Sequence, residues 1–105
     1  MGGKFSNGNI VFYLLITSID QDRKLGMYGD ERSRFFDYNG NEYGGDGVQL
    51  GNSSHWGYTT NMLIAGIPVR ASLIFKGISG KIKSVALLDV NCGFHVQFRN
   101  IPLSK

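Results

Sequence analysis

Four aromatic or imidazole side chains lie close to glycine-rich stretches and have the chemistry of a binding surface. They are Tyr43, His55, Trp56 and Tyr58. Exposed rings on loops stack on sugars, on nucleic-acid bases or on a partner protein, and they concentrate binding energy in a small area. The alternative is that Trp56 and Tyr58 close one end of a folded core. The sequence therefore predicts a binding site at these four residues, with a structural role as the competing interpretation.

The segment 37–42 places oxygen-bearing side chains at alternate positions, as calcium-binding loops do. An EF-hand loop starting at Asp37 would need glycine at its sixth position and glutamate at its twelfth, where the chain has Glu42 and Val48. A two-residue hairpin turn at Asn39 and Gly40 explains the same residues without a metal, because both tolerate positive φ. A looser calcium site that includes other acidic residues stays open; these are Asp30, Glu31 and Asp46.

Cys92 and His95 could form a thiol–imidazole pair or half of a zinc site. A structural zinc ion needs four ligands, and the remaining histidine or cysteine of the chain is His55. Residues three apart on a strand point to opposite faces, which excludes a nucleophilic pair. We therefore expect a turn or buried cysteine beside an exposed histidine, and no metal site.

Two pairs of neighbouring carboxylates could in principle perform acid–base chemistry. The pairs are Asp20 with Asp22 and Asp30 with Glu31. Both lie in one polar stretch where they alternate with arginine and lysine, which favours a solvated connection over catalysis. We recognise no nucleotide-binding loop and no Ser-His-Asp arrangement. The chain is therefore expected not to be an enzyme and to use no cofactor.

The formal net charge of +3, from 11 basic and 8 acidic residues, is too small for a dedicated nucleic-acid binder. One row of basic residues is predicted to point outward from the strands: Arg70, Lys76, Lys81, Lys83 and Arg99. Aromatic side chains are not interleaved with it, as single-stranded nucleic acid would require. A solvated face is favoured, and nucleic acid is not the expected partner.

Short apolar or alternating runs between Gly, Asn, Asp and Ser residues are typical of β-strands joined by tight turns. Residues 9–18 are apolar on both faces and predict a central strand covered on both sides. Further strands are predicted at 33–38, 42–43, 47–50, 58–65, 69–76, 82–90 and 94–100. In the predicted strands 69–76 and 94–100, apolar and polar residues alternate. The residues predicted to face inward in these two strands are Val69, Ala71, Leu73, Phe75, Phe94, Val96 and Phe98.

About seven short strands without a helical period predict an all-β domain, built as a two-sheet antiparallel sandwich. The domain spans residues 9–103, after a flexible N-terminal leader or cloning boundary at 1–8. The single cysteine allows no internal disulfide, and no apolar run reaches the roughly 20 residues of a membrane-spanning helix. The oligomeric state is not readable from these patterns.

Four segments together resemble the telokin-like, immunoglobulin-like sandwich domains of bacterial extracellular and lipoprotein-type proteins. They are NIVFYLLITS, FFDYNGNEY, LIAGIPVRASLIFKGIS and VQFRNIPL. The resemblance covers residues 9–103 and rests on a Phe-Asp-x-x-Gly-x-x-Tyr hairpin followed by a Gly-x-Pro step into a strand that ends in Phe. It implies an immunoglobulin-like fold of about seven strands and an exported or envelope-associated binding module, and it transfers no functional residues.

The leading hypothesis is a non-enzymatic accessory or interaction module of an exported bacterial protein. It would recognise a protein or cell-envelope component through loops at one end of the sandwich, with Trp56 and Tyr58 as anchors. The expected location is extracytoplasmic, whether secreted, periplasmic or lipoprotein-tethered. The alternative is a β domain that binds carbohydrate or single-stranded nucleic acid.

Overall fold

Eleven β-strands form the regular structure of this chain in a computed structural model that describes residues 2–78 and 82–104. Within these ranges there is no helix, and the prediction of an all-β fold is confirmed. The strands are β1 (Gly2–Ser6), β2 (Asn9–Ile16), β3 (Arg23–Tyr28), β4 (Arg34–Phe36), β5 (Glu42–Gly44), β6 (Gly47–Leu50), β7 (Ser53–His55), β8 (Tyr58–Leu63), β9 (Val69–Phe75), β10 (Ser84–Asn91) and β11 (His95–Ser104).

Nine of the strands form one sheet in the order β5-β4-β10-β11-β1-β2-β9-β6-β7, and β3 pairs with β8 in a second, two-stranded sheet. Every described pair is antiparallel except β1 with β11, which run parallel. This arrangement differs from the expected sandwich of about seven strands in two sheets, because β1, β3 and β7 add strands and the large sheet is continuous.

The nine-stranded sheet curls so that its apolar inner face closes on itself. Phe35 on β4 lies near one end of the strand order, whereas Phe75 on β9 lies near the other, yet their ring centroids are 4.9 Å apart. Phe12 on β2 packs edge-on against both, at 5.8 and 5.6 Å. All three rings are fully buried. Edge-to-face packing of this kind adds specific geometry to the burial of large apolar areas.

The small β3–β8 sheet covers one side of this curl, where β3 contacts β6 and β10 and β8 contacts β6 and β7. Leu25, Met27 and Leu63 are its buried apolar side chains. The sequence predicts a solvated connection over this polar stretch, but β3 forms there instead. Two alternating apolar residues are a weak strand signal, and here they suffice because β8 supplies a partner and the large sheet supplies the apolar surface.

The first residues form a paired strand where the sequence predicts a flexible leader over residues 1–8. β1 pairs with β2 from Gly2 to Ser6 and with β11 at Leu103 and Ser104. A Cβ atom at Gly3 would lie 2.7 Å from Leu103 Cδ2, so a larger residue at this position would displace the end of the Leu103 side chain. Because β1 begins with two glycines, it has little apolar alternation, and the sequence pattern therefore does not predict this strand.

The hairpin between β4 and β5 is present, but its loop is longer than the two residues predicted. The backbone N–H of Gly40 donates to the carbonyl of Asp37 at 3.2 Å, and the N–H of Asp37 donates to the carbonyl of Asn41 at 3.1 Å. Gly40 has φ of +83°, whereas Asn39 is not left-handed. The turn therefore resembles the three-residue hairpin loop with a left-handed glycine rather than the two-residue form.

Two faces that the sequence predicts to be buried are open to solvent. Tyr13 and Leu15 on the outer face of β2 are 52% and 69% exposed, so β2 is covered on its inner face alone. Phe94, predicted to face inward, precedes β11 and is 60% exposed. The less exposed residues of β11 are Val96 and Phe98 before Asn100, and Ile101 and Leu103 after it. The inward face of the strand therefore shifts by one residue at Asn100, which has φ of +55°.

Replacing Phe35 with alanine should lower the free energy of unfolding by about 3–5 kcal/mol, because a fully buried ring that joins both halves of the sheet is lost. Denaturant unfolding followed by circular dichroism measures the change. The control is Ile19→Ala at an exposed position, which should stay within about 0.5 kcal/mol of the parent. Equal losses in the two variants would contradict a central role for the ring cluster.

Candidate binding site

Three of the four predicted site residues lie together at the connection between β7 and β8. His55 ends β7, Trp56 follows in the turn and Tyr58 begins β8. The imidazole Nδ1 of His55 accepts the backbone N–H of Gly57 at 3.0 Å and that of Tyr58 at 3.4 Å. These hydrogen bonds fix the turn, and on it Trp56 is 71% exposed. Its ring stays beside His55, at 5.5 Å between centroids.

Tyr58 is the less accessible of the two predicted anchors, at 46% exposed. Its ring lies over Gly26, where a Cβ atom would overlap it, and packs against Tyr28 at 4.6 Å. The guanidinium of Arg32 lies 4.2 Å from the centre of the Tyr28 ring. Arg32, Tyr28 and Tyr58 therefore form a contiguous row held by one cation–π contact and one aromatic contact.

Asp30 holds Arg32 in this position. Its carboxylate accepts three hydrogen bonds from Arg32, one from the backbone N–H at 3.0 Å and two from the guanidinium at 3.2 and 3.0 Å. Burial by itself raises the pKa of Asp30, but the N–H donors and charge of Arg32 more than offset it, and the pKa lies below its ordinary value. Asp30 is buried rather than solvated, contrary to the prediction for this stretch.

Sequence reasoning missed Tyr28, Asp30 and Arg32 as neighbours of the site, although a signal was present. The stretch between the first two predicted strands places an aromatic, an acidic and a basic residue at alternate positions. Such a row is also compatible with a solvated loop. The pairing of β3 with β8, which sets Tyr28 opposite Tyr58, is what brings the row to the site.

Tyr43 belongs to a different part of the molecule. It lies on β5, at the opposite end of the strand order from β7, and its ring stacks on Phe35 at 4.6 Å. Its hydroxyl donates to Oδ2 of Asp37 at 3.1 Å. Burial, with this hydrogen bond, raises the pKa of Tyr43. These contacts give Tyr43 a structural function in the core and hairpin.

A groove of about 460 Å³ runs beside Trp56 across the outer face of β2, β9, β6 and β7. Its apolar floor includes Val11 and Ile74, which are cross-strand neighbours. Gly47 pairs with Ile74 on the other side, and a Cβ atom there would lie 2.9 Å from Ile74 Cγ2. The absence of a side chain at Gly47 therefore leaves this part of the groove open. Polar groups line the remainder: Asp46, Gln49, Ser54 and Ser72.

Tyr13 adds a second exposed ring to the same face. It is the cross-strand neighbour of Ser72, which in turn pairs with Gln49. The sequence missed this residue because an apolar run gives no information on whether a layer covers its second face. Local pattern cannot supply that information, since it depends on which elements pack there.

The aspartates considered for calcium are engaged by separate structural partners. Asp37 Oδ1 accepts the backbone N–H groups of Asn39 and Asn41, both at 2.9 Å, and Oδ2 accepts the side-chain amide of Asn41 at 3.0 Å. The amide of Asn41, with these backbone donors and Tyr43, holds the pKa of Asp37 below its ordinary value. Asp46 accepts the backbone N–H of Lys76 at 2.7 Å. Across 2–78 and 82–104, no three potential metal ligands lie together.

Cys92 and His95 do not contact each other as a catalytic pair. Cys92 is partly buried, and burial raises the pKa of its thiol. The exposed imidazole of His95 instead contacts the buried carboxylate of Asp89 through Nδ1, at 2.9 Å from Oδ1. Arg34 approaches the same carboxylate at 3.5 Å. Asp89 therefore fastens β4 and β11 to β10.

The other charged groups flagged by the sequence are dispersed. Asp20 forms an exposed ion pair with Arg23 at 3.6 Å, and Asp22 accepts the backbone N–H of Ala65 at 2.8 Å. In the basic row, Arg70 lies on β9 and Arg99 on β11, with β1 and β2 between them. Lys81 lies outside the described residues.

Acid should destabilise the fold through carboxylates such as Asp37. A carboxyl group whose pKa is lower in the folded chain contributes stability above its unfolded pKa, about 3.9, and loses it as the pH falls through the folded pKa. We expect Asp37→Asn to lower the melting temperature at pH 7 and to reduce the further loss between about pH 4 and pH 2.

Thermal unfolding across this pH range measures both effects. Glu31→Gln, at an exposed carboxylate on the other side of β4, is the control and should follow the parent. The interpretation fails if Asp37→Asn keeps the full acid dependence of the parent chain.

Comparison with protein-family models, curated proteins and solved structures gives no match for this chain. In the part of the chain that the structure describes, no helix is long and apolar enough to cross a membrane. A proposal about function therefore has to rest on the geometry around Trp56.

Proposed function

We propose that this chain is a non-enzymatic interaction module that recognises its partner through the surface around Trp56. The observation that carries the proposal is the 71% exposure of this tryptophan on a turn fixed by two hydrogen bonds to His55. Large aromatic side chains at the edge of a groove are typical binding hot spots, and a fixed turn loses little entropy on binding.

The surroundings of Trp56 extend the same surface in two directions. On one side lies the row formed by Tyr58, Tyr28 and Arg32, which is ordered by Asp30. On the other lies the groove over Val11 and Ile74. Tyrosine, tryptophan and arginine are the residues enriched where partner proteins bind most tightly. A protein or cell-envelope component is the partner that this composition favours.

Binding is favoured over catalysis because the buried carboxylates already hold structural partners. The carboxylates of Asp30, Asp37 and Asp89 each hold structural partners, and the pKa of Cys92 is raised, which disfavours the nucleophilic thiolate. A general acid or base needs a titrating group free to reach a substrate. The residues around Trp56 offer stacking and hydrogen bonding.

The immunoglobulin-like, telokin-like identity and the extracytoplasmic setting form part of the same proposal. They rest on the four segments that resemble such domains. The continuous nine-stranded sheet departs from a simple two-sheet sandwich, so the resemblance supports the setting more than the strand arrangement.

A carbohydrate ligand is the second candidate, and the groove lining favours it. Gln49, Ser54 and Ser72 can exchange hydrogen bonds with sugar hydroxyls while Trp56 stacks on a sugar ring. Single-stranded nucleic acid fits less well, because Asp46 lines the same groove and would repel phosphates.

Replacing Trp56 with alanine should weaken binding about 30-fold, as expected for loss of a hot spot worth about 2 kcal/mol, while the melting temperature stays unchanged. Binding of the immobilised chain to cell-envelope extracts and to a glycan array measures the two candidate functions. Phe94→Ala, at a comparably exposed ring outside the groove, is the control.

Unchanged binding by Trp56→Ala, or unfolding of that variant, would contradict the anchor role. Glycan binding that is insensitive to salt would support the carbohydrate candidate. Binding to single-stranded DNA that falls steeply with salt would overturn both in favour of nucleic acid.

A further inference from the structure

The turn that carries Trp56 depends on a ring nitrogen that must stay unprotonated. Nδ1 of His55 accepts the backbone N–H groups of Gly57 and Tyr58. Because both partners are N–H donors, Nδ1 carries no proton, and the neutral ring holds its proton on Nε2. An imidazolium ion has a proton on both nitrogens and is a donor only. Protonation of His55 therefore removes both hydrogen bonds at once.

The backbone around these bonds shows what their loss releases. The carbonyl of Gly57 accepts the N–H of Gly29 at 2.7 Å, so one side of the turn is held independently of His55. Trp56 lies between His55 and this anchor, with its ring 5.5 Å from the imidazole between centroids. Without the bonds to Nδ1, the peptide groups that follow Trp56 lose their link to the side chain that precedes it. The turn then becomes mobile while β8 stays paired with β3.

An acidic group with its own partner faces the imidazole from the connection between β3 and β4. A Cβ atom at Gly57 would lie 3.6 Å from His55 Nδ1 and 3.7 Å from Asp30 Oδ2, so both groups border the same space beside Gly57. The guanidinium of Arg32 binds this carboxylate. An imidazolium at His55 would attract the carboxylate and repel the guanidinium. Protonation therefore also acts on the contact of Arg32 with Tyr28.

The elements packed against His55 add Asp46 and Tyr58 to the titratable groups that face it. Asp46 lines the groove together with His55, and its carboxylate accepts the backbone N–H of Lys76. Tyr58 begins β8, and tyrosines titrate near pH 10, far above histidines. Val48 of β6, the cross-strand neighbour of His55, is apolar. The charge that changes at this turn between about pH 5 and 8 is therefore that of the imidazole.

We infer that His55 is an acid-sensitive switch for the surface around Trp56. At neutral and alkaline pH the ring holds the turn, and Trp56 stands fixed at the edge of the groove. As the pH falls through the range in which histidines titrate, about pH 8 to 5, both hydrogen bonds are lost and the turn becomes mobile. A mobile turn loses more entropy on binding, so the partner is released in acid. This release rests on the proposed function, whereas the change in the turn does not.

The rest of the fold is expected to stay intact over this range. The pKa values of Asp30 and Asp37 lie below the ordinary value, so both carboxylates are ionised at pH 5. The second histidine of the chain, His95, contacts the carboxylate of Asp89, and an imidazolium there keeps that contact as an ion pair. The acid effect at His55 is therefore local, and it precedes the loss of stability expected below about pH 4.

NMR of the free, full chain between pH 7.5 and pH 5 tests the switch without a partner. The ring signals of His55 give its protonation, and the amide signals of Gly57 and Tyr58 report the two hydrogen bonds. We expect both amides to shift with the same midpoint as the His55 ring, and their protection from hydrogen exchange to fall about tenfold at pH 5. They should not follow the separate titration of His95.

Three variants separate the imidazole from its surroundings. His55→Asn keeps an oxygen acceptor near the position of Nδ1 and takes up no proton, so the two amides should stay unchanged down to pH 5. His55→Phe keeps a ring without an acceptor and should show unprotected amides already at pH 7.5. His95→Gln is the control, in which His55 and the two amides should titrate as in the parent.

Binding of the immobilised chain to cell-envelope extracts at pH 7.5 and pH 5 tests the consequence. The parent should bind about tenfold more weakly at pH 5, and His55→Asn should bind equally at both. Amides that do not follow the His55 titration, or that titrate alike in His55→Asn, would overturn the switch, and equal binding by the parent at both pH values would overturn the release. Absence of binding at pH 7.5 counts against the proposed function, while the NMR titration still decides the switch.

Discussion

The edge-to-face contact of Phe12, Phe35 and Phe75 is the constraint on which the rest of this structure depends. A twisted nine-stranded sheet gains by folding back when its apolar face is removed from water, and these rings are where the two halves meet. The halves then form opposing walls, and the β3–β8 sheet covers one side. The turns and the outer faces are the parts left open to solvent, because the interior is filled.

Buried or half-buried carboxylates order the polar parts of the molecule. Asp30 fixes Arg32 over Tyr28, Asp37 closes the hairpin before β5, and Asp89 joins His95 to β10. Each is close to several donors, as a carboxylate removed from water must be. Of the three, Asp30 is the one near Trp56, because it holds Arg32 against Tyr28, which packs on Tyr58.

The long strands could be predicted from the sequence because their apolar patterns are extended, whereas Gly2–Ser6 and the strand around Leu25 depend on partners distant in the chain. At the site, the grouping of Trp56 with its neighbours follows from their closeness in sequence. The order of the strands in the sheet separates Tyr43 from this group and places Tyr13 on the same outer face as the groove beside Trp56. The sequence by itself does not show that order. Local patterns identify strands and candidate rings, but the face that is covered is decided by tertiary packing.

The parallel ladder between β1 and β11 has a consequence for how the chain reaches this structure. Gly3 pairs with Leu103, so this contact links segments separated by nearly the entire sequence. Closing so large a loop is entropically costly, and folds rich in distant contacts form slowly. During synthesis, β1 can pair with β2 early, but its ladder with β11 forms only after β11 has left the ribosome, and the sheet is joined across its middle only then.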